Sequence, residues 1–201
     1  NCILSQEFYE TDASRGFVRG FTYECGRGLG AIGTALTGME SGHIPWGQDH
    51  HRAYRELFNR IVPIYAICED LPEEHNTVTL DPEQKDSNGI AAPKVTYSVS
   101  ENSRKMMDYA VDRATEALKA AGASDVISET PLGEAGWHLM GTARMGTDPA
   151  TSVVNEWGRC HDVKNLFIVD GSVFVTSAGV NPTRTIQALA HYFAASIKQR
   201  L

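Results

Sequence analysis

The sequence Asn165-Leu-Phe-Ile-Val-Asp-Gly-Ser172, followed by Ala178-Gly-Val-Asn-Pro-Thr183, decides the fold expected for the last third of the chain. The apolar run that opens it predicts a short buried strand, and Asp170-Gly171 predicts the turn that ends this strand. A helix is expected next, because Asn181 suits an N-cap and Pro182 suits the first helical position. Its apolar face would consist of Ile186, Leu189, Ala190, Phe193, Ala194 and Ile197.

Upstream of this region the sequence predicts a mixed α/β (α+β) fold that combines helices with antiparallel strands. Apolar residues recur at helical spacing over residues 50–61 and 100–121, and Ser100 can cap the second of these helices. The inward face of that helix would be formed by Met106, Tyr109, Ala110, Ala114 and Leu118. Apolar runs and alternating patterns predict strands over residues 16–23, 64–68, 77–80 and 94–99.

A glycine-rich segment near the start of the chain matches the bare GxGxxG pattern, as Gly28-Leu-Gly30-Ala-Ile-Gly33. A dinucleotide site also requires a buried parallel strand before the glycines and an acidic strand end about twenty residues later. Neither is convincing here, because Tyr23-Glu-Cys25 does not resemble a buried parallel strand. The segment is therefore interpreted as surface backbone rather than a nucleotide cradle.

Composition and charge exclude several classes of partner. Lys and Arg number 18 and Asp and Glu 25, which gives a net charge of −7 and argues against nucleic acid or an anionic membrane. No apolar run is long enough to span a membrane, and no signal peptide is visible. The four cysteines form no metal-binding pair, so reduced thiols in the cytoplasm are expected. The chain does not begin with Met, which leaves an upstream targeting segment open.

Three histidines and an aspartate lie close together in the segment Gly42-His-Ile-Pro-Trp-Gly-Gln-Asp-His-His51. Their spacing matches none of the common zinc motifs, and adjacent histidines point in different directions on a helix. A solvated or substrate-lining loop is the favoured interpretation, so no metal site is predicted. A metal-dependent hydrolase built on His43, His50 and His51 is kept as an alternative.

Three features of the last third could carry chemistry, although each has an ordinary structural explanation when taken alone. His138 lies between apolar residues, as many core histidines do, and Asn181 is most simply a helix cap. Asp170-Gly171 is a common pair at the end of a strand. Thr142, Ser172 and Arg144 suggest no role, although a salt bridge is the simplest expectation for Arg144.

Together these features resemble the C-terminal signature of the glucose–methanol–choline (GMC) oxidoreductase family. The chain has the block W/Y-H-x-x-G-T-x-x-M-G at residues 137–146, then V-D-G/A-S at residues 169–172 and N-P-x-x-T-I-x-A-L-A at residues 181–190. All three occur in the family's order. Weaker similarity extends back through Glu69-Asp-Leu-Pro72 and Thr77-Val-Thr-Leu-Asp-Pro82.

The resemblance implies an enzyme that uses FAD to oxidise an alcohol or sugar hydroxyl, with hydride transfer to flavin N5. His138 would be the base, which suits the ordinary pKa of histidine, and Asn181 would orient the substrate oxygen. FAD would be contacted by Asp170, Gly171, Asn181, Pro182 and Thr183. The positive end of the helix dipole at this start would stabilise the negative charge of reduced flavin.

The resemblance also implies a division of the chain. Residues 1–150 would form a substrate-binding (cap) region with the catalytic-histidine loop, and residues 151–201 would return to the FAD-binding domain. The strand, GxGxxG turn and helix that hold the ADP half of FAD in this family are not found. The chain is therefore expected to be a C-terminal fragment that is inactive without an N-terminal FAD-binding segment as partner. A hydroxynitrile lyase of the same family and a catalytically silent interaction subunit are the alternatives, and oxidase is not separated from dehydrogenase.

Overall fold

The computed structural model describes residues 2–131 and 136–200. Two compact units are present, one made of Asn1–Cys68 with Lys105–Gly133 and the other of Glu69–Arg104 with Glu134–Leu201. Both contain helices and antiparallel strands, so the expected α+β character is confirmed. The boundary expected near residue 150, between a substrate-binding region and an FAD-binding domain, stays a prediction. No helix in the described ranges is long and apolar enough to cross a lipid bilayer.

The first unit is built on a three-stranded antiparallel sheet. Its strands are β1 (Ile3–Ser5), β2 (Phe21–Cys25) and β3 (Ile64–Cys68), in the order β1-β2-β3. The strand predicted over residues 64–68 is confirmed. The strand predicted over residues 16–23 begins only at Phe21, because Gly16 and Arg19 have φ angles of 82° and 72°, which a strand does not allow.

Three helices accompany this sheet. They are α1 (Ala31–Glu40), α2 (His50–Leu57) and α3 (Glu101–Ala120), the last of which begins in the second unit. The Ser100 hydroxyl accepts a hydrogen bond from the Ser103 N–H at 3.1 Å, which confirms the predicted cap of α3. The helix expected over residues 50–61 ends four residues early, and Asn59 just beyond it is left-handed, with φ of 62°.

The core of the first unit lies between the sheet and α3. Phe21 on β2 and both Met106 and Ala110 on α3 are fully buried, as the helical spacing predicted. The Tyr23 hydroxyl donates to the Ala110 carbonyl, so this core also contains a satisfied polar group. The predicted inward face of α3 is therefore confirmed at its centre.

The glycine-rich segment turned out to connect a strand to a helix. Residues 26–30 link β2 directly to α1, and this helix was not predicted because its glycines weaken the helical signal. However, β2 is antiparallel to both β1 and β3. A dinucleotide fingerprint belongs to a parallel βαβ unit, which β2 and α1 do not form.

The second unit contains a two-stranded ribbon, a helix and a network of loops. Its elements are β4 (Thr77–Lys85), β5 (Ala91–Thr96) and α4 (Thr183–Arg200). The first strand is longer than predicted, and the second lies three residues earlier. The core of this unit consists of Val154, Cys160, Val173 and Phe193.

The strand predicted over residues 165–169 is wrong. Phe167 forms only an isolated antiparallel bridge with Arg159. The backbone of this run is satisfied by a nearby loop, because the Ile168 N–H donates to the Gly158 carbonyl at 2.8 Å. Gly158 has a φ of 72°, and a Cβ there would lie 2.7 Å from the Ile168 carbonyl oxygen and 3.1 Å from the Phe193 ring. Only glycine suits this position.

Gly38 on α1 offers a test of packing in the first unit. A Cβ on Gly38 would overlap the side chain of Ile44, which is only 2% exposed, and would lie 3.2 Å from Leu57 Cδ1. We therefore expect Gly38→Ala to lower the free energy of unfolding by about 1–3 kcal/mol, despite the higher helix propensity of alanine. Urea unfolding of the chain, followed by circular dichroism, measures the difference.

Gly33→Ala is the matched control in the same helix. Its Cβ would meet Leu29 Cβ at 3.4 Å, an ordinary contact, so the substitution should stabilise α1 by about 0.5–1 kcal/mol. Equal effects of the two substitutions would contradict the close packing described for Gly38.

Candidate active site

Backbone hydrogen bonds join the two conspicuous segments of the last third. Alternate N–H groups of residues 141–145 donate to the carbonyls of Gly171, Ser172 and Val173, at 3.3, 2.8 and 2.8 Å. The segment that carries His138 and the Asp-Gly turn therefore lie side by side in the second unit. Both were predicted as site segments, and the structure brings them together.

The helix α4 packs against the same point. A Cβ built on Gly171 would lie 3.2 Å from Ile186 Cδ1 and 3.5 Å from Met140 Cγ. The turn, the first part of α4 and the segment following His138 thus meet at Gly171. The absence of a side chain at this position lets all three approach.

The Asp170 carboxylate is engaged by its own turn. It accepts hydrogen bonds from the Ser172 hydroxyl at 2.6 Å and from the Ser172 N–H at 2.8 Å. These two bonds, the hydroxyl first, lower the pKa of Asp170 below its ordinary value, against an opposing effect of burial. Asp170 follows no strand, so its predicted place at the end of a short buried strand is wrong. Ser172, which had no predicted role, supplies both donors, and Asp170 is the residue that caps the turn.

His138 lies in a turn at the surface of the unit. It is half-buried, while its neighbours Trp137 and Leu139 are 71% and 81% exposed. Within residues 2–131 and 136–200, the His138 ring makes no hydrogen bond. These observations do not fit a core histidine.

The start of α4 differs by one residue from the prediction. The helix begins at Thr183, and its first i→i+4 hydrogen bond joins the Ile186 N–H to the Pro182 carbonyl at 3.0 Å. Pro182 therefore occupies the cap position and the exposed Asn181 precedes it. Proline lacks an N–H and has a fixed φ, and neither property conflicts with the cap position or with the first turn of a helix. The first N–H groups of α4 have no acceptor within the helix and point out of its end.

A small cavity lies between the His138 segment and the start of α4. Its volume is about 120 Å³, and it is lined by Met140, Phe174, Thr176, Ser177, Ala178, Val180, Pro182 and Thr185. Thr176 Oγ1 is buried and has no hydrogen-bond partner among the described residues. A buried hydroxyl without a partner is costly, so this wall suits a ligand that brings a polar edge. A cavity of this volume accommodates part of a ligand rather than an entire one, because whole-ligand pockets are usually larger.

Sequence reasoning missed most of the residues that line this cavity. Met140 was quoted as part of the histidine block, but no role was assigned to it. Its position two residues after His138 was the only signal in the sequence that could have placed Met140 near the site. Thr176 and Phe174 lie in a loop that has no periodic pattern, so no local signal marks them.

Other residues singled out in the sequence have structural roles. Arg144 Nε donates to the Thr151 carbonyl at 2.8 Å, and this bond replaces the expected salt bridge. His43 bonds Asp125 Oδ2 at 2.7 Å, whereas His50 contacts the rings of its neighbours Trp46 and His51. No three potential metal ligands gather in the part of the chain that the structure describes.

Comparison with known proteins decides the family. A family model described as GMC oxidoreductase matches residues 72–190, which include both site segments and the whole ribbon. This chain belongs to the GMC oxidoreductase family. The resemblance predicted from the three motifs is thereby confirmed. Members of this family are flavoproteins that typically bind FAD, and one relative is named the gluconate 2-dehydrogenase flavoprotein of Pantoea cypripedii.

Curated relatives in the GMC family include several enzymes named for hydroxyl compounds. The chain is 46% identical over 94% of its length to 2-methyl-1,2-propanediol dehydrogenase of Mycolicibacterium austroafricanum, and covers 34% of that protein. It is 40% identical over 64% of its length to the fructose dehydrogenase large subunit of Gluconobacter japonicus, covering 24% of it. It is 38% identical over 63% of its length to paromamine 6'-oxidase of Streptomyces fradiae, covering 24% of that protein. The chain thus spans a quarter to a third of these relatives' lengths.

Asp170 offers a test of the turn that carries Gly171. Its folded-state pKa is lowered, so its contribution to stability is present above the ordinary value of 3.8 and is lost as the pH falls through the folded value. Asp170→Ala should lower the free energy of unfolding at pH 7 by about 1 kcal/mol, as loss of a capping group does. Urea unfolding at pH 7 and at pH 3.5 should show the difference shrinking in acid.

Asp170→Ser is the matched control, because it keeps a capping oxygen without the charge. It should retain most of the stability and show less dependence on pH. The role of the carboxylate is refuted by a wild-type free energy of unfolding in Asp170→Ala at pH 7.

Proposed function

We propose that this chain forms part of an FAD-dependent enzyme that oxidises the hydroxyl group of an alcohol or sugar. The observation that carries the proposal is the meeting, in one unit, of the His138 segment, the Gly171 turn and the start of α4. Family membership supports the same chemistry. The printed names of relatives, which include a diol dehydrogenase and a fructose dehydrogenase, support hydroxyl compounds as substrates.

His138 is assigned the role of base. Oxidation of an alcohol to a carbonyl requires removal of the hydroxyl proton and of a hydride from the same carbon. A neutral imidazole accepts the proton well near neutral pH. The ring has no hydrogen bond within the described residues, and exposed Trp137 and Leu139 flank it. Apolar side chains beside the base would help exclude water once substrate is bound.

Asn181 is assigned the role of orienting the substrate oxygen. It is exposed and directly precedes the cap of α4. An amide N–H donates to an alcohol or carbonyl oxygen without taking up the proton itself. Fixing this oxygen holds the hydroxyl proton toward the base and the C–H bond toward the hydride acceptor.

Bound FAD would supply the hydride acceptor, at flavin N5. Asp170, Gly171, Asn181, Pro182 and Thr183 are the residues assigned to hold it. The N–H groups at the start of α4 and the unpartnered hydroxyl of Thr176 fit a cofactor that presents acceptor atoms at one edge. The 120 Å³ cavity accommodates an edge only, so the proposal includes a further FAD-binding segment as the partner of this chain.

The role of His138 is tested in the FAD-loaded enzyme that contains this chain. His138→Ala should slow flavin reduction by about 10²–10⁴-fold, because general bases typically contribute that much. The rate is measured anaerobically, from the bleaching of flavin absorbance after mixing with an alcohol or with fructose. Binding of FAD, followed by the oxidised flavin spectrum, should be unchanged.

His191→Ala is the matched control, since His191 is an exposed histidine on α4 of the same unit. This variant should reduce its flavin at the wild-type rate. A wild-type rate in His138→Ala would overturn the assignment of the base. Substrate turnover with a flavin that stays oxidised would contradict oxidation itself.

A further inference from the structure

Three hydroxyl groups converge on Asp70 in the second unit. The Tyr97 hydroxyl donates to Asp70 Oδ2 at 2.8 Å, and the Ser103 hydroxyl donates to Oδ1 at 2.5 Å. The Ser177 hydroxyl donates to the main-chain carbonyl of Asp70 at 3.0 Å. One residue thus connects the end of the ribbon, the first turn of α3 and the loop that precedes α4.

The two side-chain bonds fix the position of residue 70. Ser103 is only 3% exposed, and its hydroxyl also accepts a hydrogen bond from the Ser100 hydroxyl at 3.1 Å. The carboxylate therefore ends a short chain of hydrogen bonds that strengthen one another. A bond to a charged acceptor is stronger than one between neutral groups.

The Tyr97 hydroxyl, the other donor to the Asp70 carboxylate, keeps its proton over the whole physiological pH range. Desolvation, with the hydrogen bond to Asp70 next, raises the pKa of Tyr97 from 10.0 to about 12. The neutral phenol is the donor, so its bond persists below pH 10 and is lost only as the pH rises through about 12. Residue 70 therefore stays fixed at any pH at which histidine could act as a base.

The third bond reaches the candidate active site. Ser177 lies four residues before Asn181 and lines the cavity together with Met140 and Pro182. Gly179, between Ser177 and Asn181, is buried, so the short connection has little freedom. Holding Ser177 in place therefore limits where Asn181 can lie.

We infer that Asp70 and Ser177 form an anchor that positions Asn181, and this inference rests on the proposed function. Asp70 is assigned no contact with substrate or cofactor, and the Ser177 hydroxyl is engaged by the Asp70 carbonyl although Ser177 lines the cavity. Both are therefore assigned as positioning residues. The anchor joins residues 107 apart in sequence, and the other end of the loop is held by the Pro182 carbonyl at the start of α4. Loss of the Ser177 bond removes the contact that ties this end of the loop to Asp70.

Ser177→Ala tests the anchor in the FAD-loaded enzyme with two readouts. Hydrogen–deuterium exchange of the amides in residues 178–182 should become faster, because the loop loses its tether. Flavin reduction at saturating alcohol should slow by about 10-fold or more, since small misplacements of orienting groups are costly. Ser177→Thr keeps the hydroxyl and should restore both readouts.

Ser152→Ala is the matched control. Its hydroxyl also donates to a main-chain carbonyl of the same unit, that of Asp148, at 2.5 Å. This bond lies in a different loop from Asn181. The control should leave both the exchange of residues 178–182 and the reduction rate at wild-type values.

A double-mutant cycle with Asn181→Ala separates positioning from general destabilisation. If Ser177 acts through Asn181, Ser177→Ala should slow flavin reduction much less in the Asn181→Ala background than in the wild type. A purely structural role would give the same fold-change in both backgrounds. Equal fold-changes therefore overturn the inference.

Failure of the anchor and failure of the proposed function give different results. Unchanged exchange at residues 178–182 in Ser177→Ala, or a wild-type rate of flavin reduction in this variant, overturns the anchor. The proposed function still stands in that case if flavin reduction is slow in His138→Ala and in Asn181→Ala. A wild-type rate in Asn181→Ala overturns the proposed role of that residue, and the anchor's catalytic purpose with it, even if exchange becomes faster.

Discussion

The arrangement of the second unit depends on the main-chain hydrogen bonds between residues 141–145 and the turn at Gly171–Val173. These bonds join main-chain groups directly and align the two segments. They also satisfy backbone groups that would otherwise be buried without partners. Once the segments are aligned, Met140 and Ile186 close over Gly171, and the cavity beside α4 is a consequence of that packing.

The helices of this chain could be predicted from sequence better than its strands. Met106 and Ala110 recur at helical spacing after a capping serine, so α3 was predicted almost to the residue. The run Asn165–Val169 is too short for its apolar content to specify a strand, and its backbone is satisfied by the loop around Gly158. The helix α1 was missed because its glycines lower helix propensity, while packing against Ile44 stabilises it.

The site was predictable where residues occur in a family pattern and unpredictable where contacts span the sequence. His138, Gly171 and Asn181 were singled out from motifs, although Pro182 rather than the predicted Asn181 occupies the cap of α4. Asp70 and Ser177 were not found, because a bond between a serine and a carbonyl so distant in sequence leaves no local pattern. Their roles follow only from the three-dimensional arrangement, and those assigned to His138 and Asn181 remain proposals.

Gly158 has a consequence for how tolerance to substitution should be interpreted in this family. Any side chain there would combine an unfavourable backbone conformation with a contact 2.7 Å from the Ile168 carbonyl oxygen and another against Phe193. In a comprehensive library of variants scored by growth that requires the activity, substitutions at Gly158 should therefore be as damaging as substitutions at His138. Intolerance alone would not separate the loop that supports α4 from the residues proposed to meet substrate. Only a comparison of protein amount with activity per molecule would distinguish the two, because loss at Gly158 acts through folding.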